Sequence, residues 1–133
     1  MVLKKAAVLR GAALLGLLPV IAWAHQAPAP LRPMHGGVVK EVARTRVELV
    51  RRSGELLLFF RNQQNAPVLP AVSSIQLWGR EGIEAVPYET SGHQVRVADP
   101  GDSAELRTIV RFTDAAHTPR LLSFPPSTKG DLP

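Results

Sequence analysis

Thr45-Arg46-Val47-Glu48-Leu49-Val50-Arg51 and Glu55-Leu56-Leu57-Leu58-Phe59-Phe60-Arg61, parted by Arg52-Ser53-Gly54, are the two runs that set the architecture of this chain. Both are rich in branched and aromatic side chains that suit a pleated surface, and Ser53-Gly54 supplies a turn residue tolerant of positive φ between them. In the first run Val47 and Leu49 point one way while Arg46, Glu48 and Arg51 mostly point the other, so one face is expected to be buried and the other wet. The second run breaks the alternation and reads as a central strand covered on both sides.

The same texture continues on either side. Further strands are expected over 37–42, 72–78, 83–88, 93–98, 105–112 and 120–124. Ile75 and Leu77 alternate with Ser74 and Gln76, and Val95 and Val97 with Gln94 and Arg96. Turns are marked by Arg80-Glu81-Gly82, Ser91-Gly92 and Asp99-Pro100-Gly101-Asp102. The loop 62–70, with Pro67 and Pro70, is the longest connection and is expected to cross between sheets. Residues 106–112 could also form a short helix, but Thr108, Ile109 and Val110 favour a strand. Phe59, Phe60, Trp78, Phe112 and Phe124 are spaced for a core rather than for a stacking platform. Seven to eight strands predict an all-β domain, an immunoglobulin-like β-sandwich, with a small barrel as the alternative.

The first residues address a different question. Lys4, Lys5 and Arg10 precede an uncharged, Leu- and Ala-rich run over 11–24 that closes on Ala22-Trp23-Ala24, the small-x-small end of a secretory signal peptide. The expected layout is a signal peptide over 1–24, a Pro/Ala-rich leader over 25–33, the sandwich over 34–124 and a flexible tail over 125–133. Pro28, Pro30 and Pro33 fix φ repeatedly, so the leader is expected to be extended. A retained anchor is the alternative, but 8–24 is broken by Pro19 and falls short of the ~20 apolar residues a span requires. The expected mature protein is therefore periplasmic and has no membrane span. Removing the signal peptide takes three cations from the 16 Lys and Arg and none of the 11 Asp and Glu, so the net charge falls from +5 to +2. Nucleic-acid binding loses its electrostatic support.

Among 133 residues there is no Cys, which excludes disulfides, thiolate clusters and thiol nucleophiles. There is no nucleophile elbow, phosphate loop or dinucleotide fingerprint either, and Ser91, His93 and Asp99 form a set that any small protein could offer. The chain is therefore read as a non-enzyme. Its histidines are more informative. Cleavage after Ala24 makes His25 the first residue, with an α-amino group and an imidazole able to chelate Cu(II), and one further histidine would complete a three-nitrogen site. Cleavage after Ala22 would instead put His25 third, where amine, two amides and imidazole can enclose Cu(II) or Ni(II). Met34 and His35 offer adjacent thioether and imidazole donors beside Gly36-Gly37, and His117 lies three residues after Asp114 in the expected last hairpin. The candidate metal ligands are thus His25, His35, Met34 and His117, with copper first and nickel, cobalt or zinc as alternatives. His93 reads as structural or surface. Arg44, Arg46, Arg51 and Arg52 form a basic cluster that could meet an acidic partner or anionic lipid, although a solvated strand face is the simpler account.

Met34-His35-Gly36-Gly37-Val38-Val39, then Thr45-Arg46-Val47-Glu48-Leu49-Val50, Gly54-Glu55-Leu56-Leu57-Leu58 and Asn65-Ala66-Pro67-Val68 follow a familiar order. The chain resembles small periplasmic His-Gly-Gly β-sandwich proteins and the N-terminal β-domain of periplasmic adaptor subunits of heavy-metal efflux pumps. The resemblance implies an immunoglobulin-like sandwich linked to copper, nickel, cobalt or zinc handling, with His35 at the matching position. Met34 stands where proline is common, and Asn65-Ala66 replaces the usual turn pair. The resulting expectation is a monomeric carrier that chelates a divalent metal and passes it to an efflux complex or another envelope protein. The alternative is a metal-free envelope interaction module that docks through a strand edge or its Arg-rich face.

Overall fold

Gly54 stands at φ 82°, and the hairpin it closes pairs the two runs quoted above from Arg52 opposite Glu55 to Arg46 opposite Arg61. The computed structural model describes residues 27–98 and 105–127, and the strands reported are those among them. They are β1 (Val38–Val42), β2 (Thr45–Arg52), β3 (Glu55–Arg61), β4 (Ala71–Gly79), β5 (Gly82–Ala85), β6 (Glu89–Ser91), β7 (Gln94–Ala98), β8 (Arg107–Thr113) and β9 (Pro119–Phe124). One sheet has the order β1-β2-β3-β7-β6 and the other β5-β4-β8-β9, with antiparallel neighbours throughout. The architecture is an all-β, two-sheet sandwich.

The 62–70 connection carries the chain from the first sheet to the second, as its length and prolines predict. The strand expected over 83–88 ends at Ala85 instead. Pro87 has no N–H to give a ladder. The Val86 N–H donates to the Ile75 carbonyl, and the Tyr88 hydroxyl donates to the Val72 carbonyl at 2.9 Å. The chain is thereby pinned as it crosses back, and Glu89–Ser91 becomes a ninth strand beside β7.

Between the sheets lie Val47, Leu49, Leu58 and Phe60 from the first and Val110 and Phe124 from the second, all nearly inaccessible to water. Phe60 meets Phe112 edge-to-face at 5.6 Å. Two sequence expectations fail for one reason, the parity of side chains along a strand, and a third for another. Ile75 and Leu77 take the inner face of β4, so Trp78 points outward opposite Ile83 and is 49% exposed. Phe59 is buried, but with Val50 and Leu57 in a separate cluster outside the first sheet. The outer face of β2 is not wet either, because Arg46 and Glu48 are buried there. Residues 29–37 cover it.

No helix among the described residues is long and apolar enough to cross a membrane. The expected signal peptide, His25, the Asp99-Pro100-Gly101-Asp102 turn and residues 128–133 lie outside the described residues.

Candidate functional site

On the outer face of the β2-β3 hairpin, Arg46 lies opposite Arg61, Glu48 opposite Phe59 and Val50 opposite Leu57. A proline-rich segment in extended conformation leaves its carbonyls without ladder partners, and cationic side chains can fill that role. Arg46 donates to the carbonyls of Ala29 and Pro30, and Arg61 donates to the carbonyl of Arg32. Further along, the Glu48 carboxylate accepts the N–H groups of Met34 (2.8 Å), His35 (2.8 Å) and Gly37 (2.9 Å), while Arg61 pairs with it at 2.9 Å. The leader is therefore not a free tether but is fastened to the sheet along its main chain.

The two glycines make this geometry accessible. Gly36 stands at φ 77°, which turns successive N–H groups toward one anion. Gly37 lies so close to β2 that a Cβ there would fall on the Leu49 carbonyl. Asn65, at φ 65°, completes the clasp by accepting from Arg61 Nε at 2.9 Å and Arg46 Nη1 at 3.2 Å. Glu41 accepts from Arg46 Nε at 2.8 Å.

Burial opposes ionisation of Glu48. The N–H groups of Met34 and Gly37, the Arg61 guanidinium and the His35 N–H together outweigh it and hold the carboxyl below its ordinary value. The Arg46 hydrogen bond, helped by Gln63, holds Glu41 low as well. The clasp is therefore charged on both sides near neutral pH.

Among the described candidate ligands, His117 is placed apart from Met34 and His35. Met34 and His35 are exposed at the end of the clasped leader, and the His35 ring stacks on Phe59 at 3.8 Å with an interplanar angle of 17°. His93, half-buried, approaches the same Phe59 at 6.1 Å. His117 is exposed in the β8-β9 turn of the other sheet, at φ 61°. Its neighbour Asp114 is already engaged, accepting from the Ala116 and Thr118 N–H groups and from Arg120 Nε. Those contacts, Arg120 foremost, hold the Asp114 carboxyl low. The Asp114-His117 spacing thus has a structural account as a side-chain-closed turn. Among the described residues no three His, Asp or Glu side chains converge where they could hold a metal ion. Of the basic cluster, Arg44 and Arg52 are exposed, Arg46 is buried, and Arg51 reaches the Pro125 carbonyl.

Glu48, Arg61 and Asn65 were not legible as a site from their spacing. A signal was nevertheless present: the outward positions Val50, Leu57 and Phe59 are too apolar for a solvated face. The chain matches no protein-family model, no curated protein and no solved structure. His35-Gly36-Gly37 has a local task here as the cradle of the Glu48 carboxylate.

Proposed function

We propose that the protein is an exported copper-binding accessory of the periplasm, an immunoglobulin-like sandwich that chelates Cu(II) and hands it to an envelope partner such as a heavy-metal efflux complex. The donors are the His25 imidazole and the α-amino group freed by cleavage after Ala24, with His35 as the next nitrogen and Met34 beside it. No bond of a substrate is made or broken. The fastening of the leader carries this reading. Ala29 donates to the Gln63 carbonyl at 2.7 Å and its own carbonyl is held by Arg46, so three residues, a span of at most about 14 Å, separate the terminal nitrogen pair from a rigid anchor. An anchored end loses less freedom on binding than a trailing one.

Mass spectrometry of the secreted protein identifies its first residue, and Cu(II) titration followed by visible absorption and paramagnetic resonance measures binding. Equimolar binding, micromolar or tighter, that disappears when one residue is added before His25 is the expected result. Protein that starts at His25 and ignores both Cu(II) and Ni(II) overturns it. A start at Trp23 moves the site to the square-planar arrangement with His25 third.

A second reading, a metal-free interaction module, is favoured by the β5 edge. All four residues of Gly82–Ala85 are exposed, and Ile83 lies beside the half-exposed Trp78. Unpaired strand edges accept a further strand. Copper indifference together with loss of partner capture in Ile83→Lys supports this reading.

A further inference from the structure

At the end of the sandwich where the β1-β2 and β8-β9 turns meet the 62–70 loop, a groove of about 470 Å³ opens between the sheets. Its walls include Val68, Leu69 and Pro70, and Phe60 and Phe112 underlie it. Leu69 is 83% exposed at the lip, a position that leaves most of its apolar surface in water. The volume and apolar lining match those of small-molecule sites.

The rim carries unspent charge and backbone strain in the same places. Ala43 and Arg44 form the β1-β2 turn at φ 48° and 67°, a conformation that hairpins normally give to Asn and Gly. His117 holds φ 61° on the facing turn. All three line the groove, and left-handed non-glycine residues gather at ligand clamps more than elsewhere. Among the described residues the Arg44 and His117 side chains have no ion-pair or hydrogen-bond partner. Asp114 also lines the groove, but its carboxylate is occupied by Arg120 and two backbone amides. Arg61 is likewise spent on Glu48 and the leader. The charge left over is cationic, at the rim of an apolar trough.

We propose that this groove binds a small amphipathic carboxylate, with its apolar body against Val68, Leu69 and Pro70 and its head group at Arg44 and His117. The site is independent of the copper reading and is tested with chelator present.

The probe is sodium decanoate, titrated into the secreted protein by calorimetry, with decyltrimethylammonium as the control of opposite charge. Saturable binding of one decanoate per chain, with the cationic analogue at least tenfold weaker, is expected. Arg44→Gly separates binding from folding. Glycine relieves the turn, so the thermal midpoint rises, whereas loss of one charge-assisted hydrogen bond weakens decanoate about tenfold. His117→Asn keeps a residue that tolerates positive φ and weakens decanoate as well. Absence of saturable binding, equal affinity for the cationic analogue, or unchanged affinity in Arg44→Gly overturns the proposal.

Discussion

A carboxylate shielded from water persists only where donors replace the hydration it has lost, and Glu48 has four: three backbone N–H groups of the leader and Arg61. Removing one partner of a buried ion pair strands the other. Glu48→Gln is therefore expected to lower stability by about 3 kcal/mol or more, read from urea unfolding. A loss under about 1 kcal/mol would show that the leader contributes little. Gly37→Ala tests the close approach separately, since its added methyl meets the Leu49 main chain rather than a side chain that can swing away. A loss of about 1–3 kcal/mol is expected, as for other overpacked positions. Neither change touches the inner core, so both should leave the β-sheet circular dichroism intact below the unfolding transition.

At the scale of elements, the leader is held mainly by charged side chains, and this makes its attachment sensitive to acid. The native pKa of Glu48 lies below its unfolded value of about 4.3, so the stabilisation is fully present above that value and is lost as pH falls through the native one. Glu41, which holds Arg46, is shifted in the same direction and adds to this trend, whereas Asp114, also held low, closes the β8-β9 turn of the other sheet. The expected outcome is constant leader protection between about pH 5 and 8, then loss below about pH 4. Hydrogen exchange at the amides of Met34, His35 and Gly37 measures it. Those amides should open before those of β3 and β8, whose hydrogen bonds lie in sheets covered by the core. In Glu48→Gln this acid step should be smaller, leaving the share that Glu41 carries through Arg46. A leader that opens at the same pH in wild type and variant would assign its attachment to other contacts.

For the whole molecule, the two faces of the sandwich differ in kind. The outer face of the β2-β3 hairpin is covered by the chain's own preceding segment, whereas that of the second sheet leaves Trp78, Ile83 and Leu121 partly in water. A mature chain that starts at His25 has Trp78 as its only tryptophan. Its emission should be quenched by acrylamide in the native protein nearly as well as in the unfolded one. Trp78→Ser should change stability by about 0.5 kcal/mol or less, as surface substitutions usually do. Strong protection from acrylamide would show that a second copy or a partner covers this face.

Strand composition, turn residues and the doubly apolar run of β3 were enough to derive an all-β domain with eight of the nine strands among the described residues close to place, because pleat period and turn chemistry are local properties. Proline spacing likewise excluded helix from the leader, and its described residues carry none. Which face each aromatic side chain took was decided by parity against the opposite sheet, and that sent Trp78 outward and Phe59 beneath the leader. The clasp belongs wholly to the tertiary level. Arg46, Glu48 and Arg61 look like solvated charges in sequence, and only the return of residues 29–37 over the hairpin supplies the main-chain groups that make their burial affordable. The reason is the reach of the interactions: period and turn depend on neighbours along the chain, whereas a buried charge depends on hydrogen-bond partners 11 to 29 residues away.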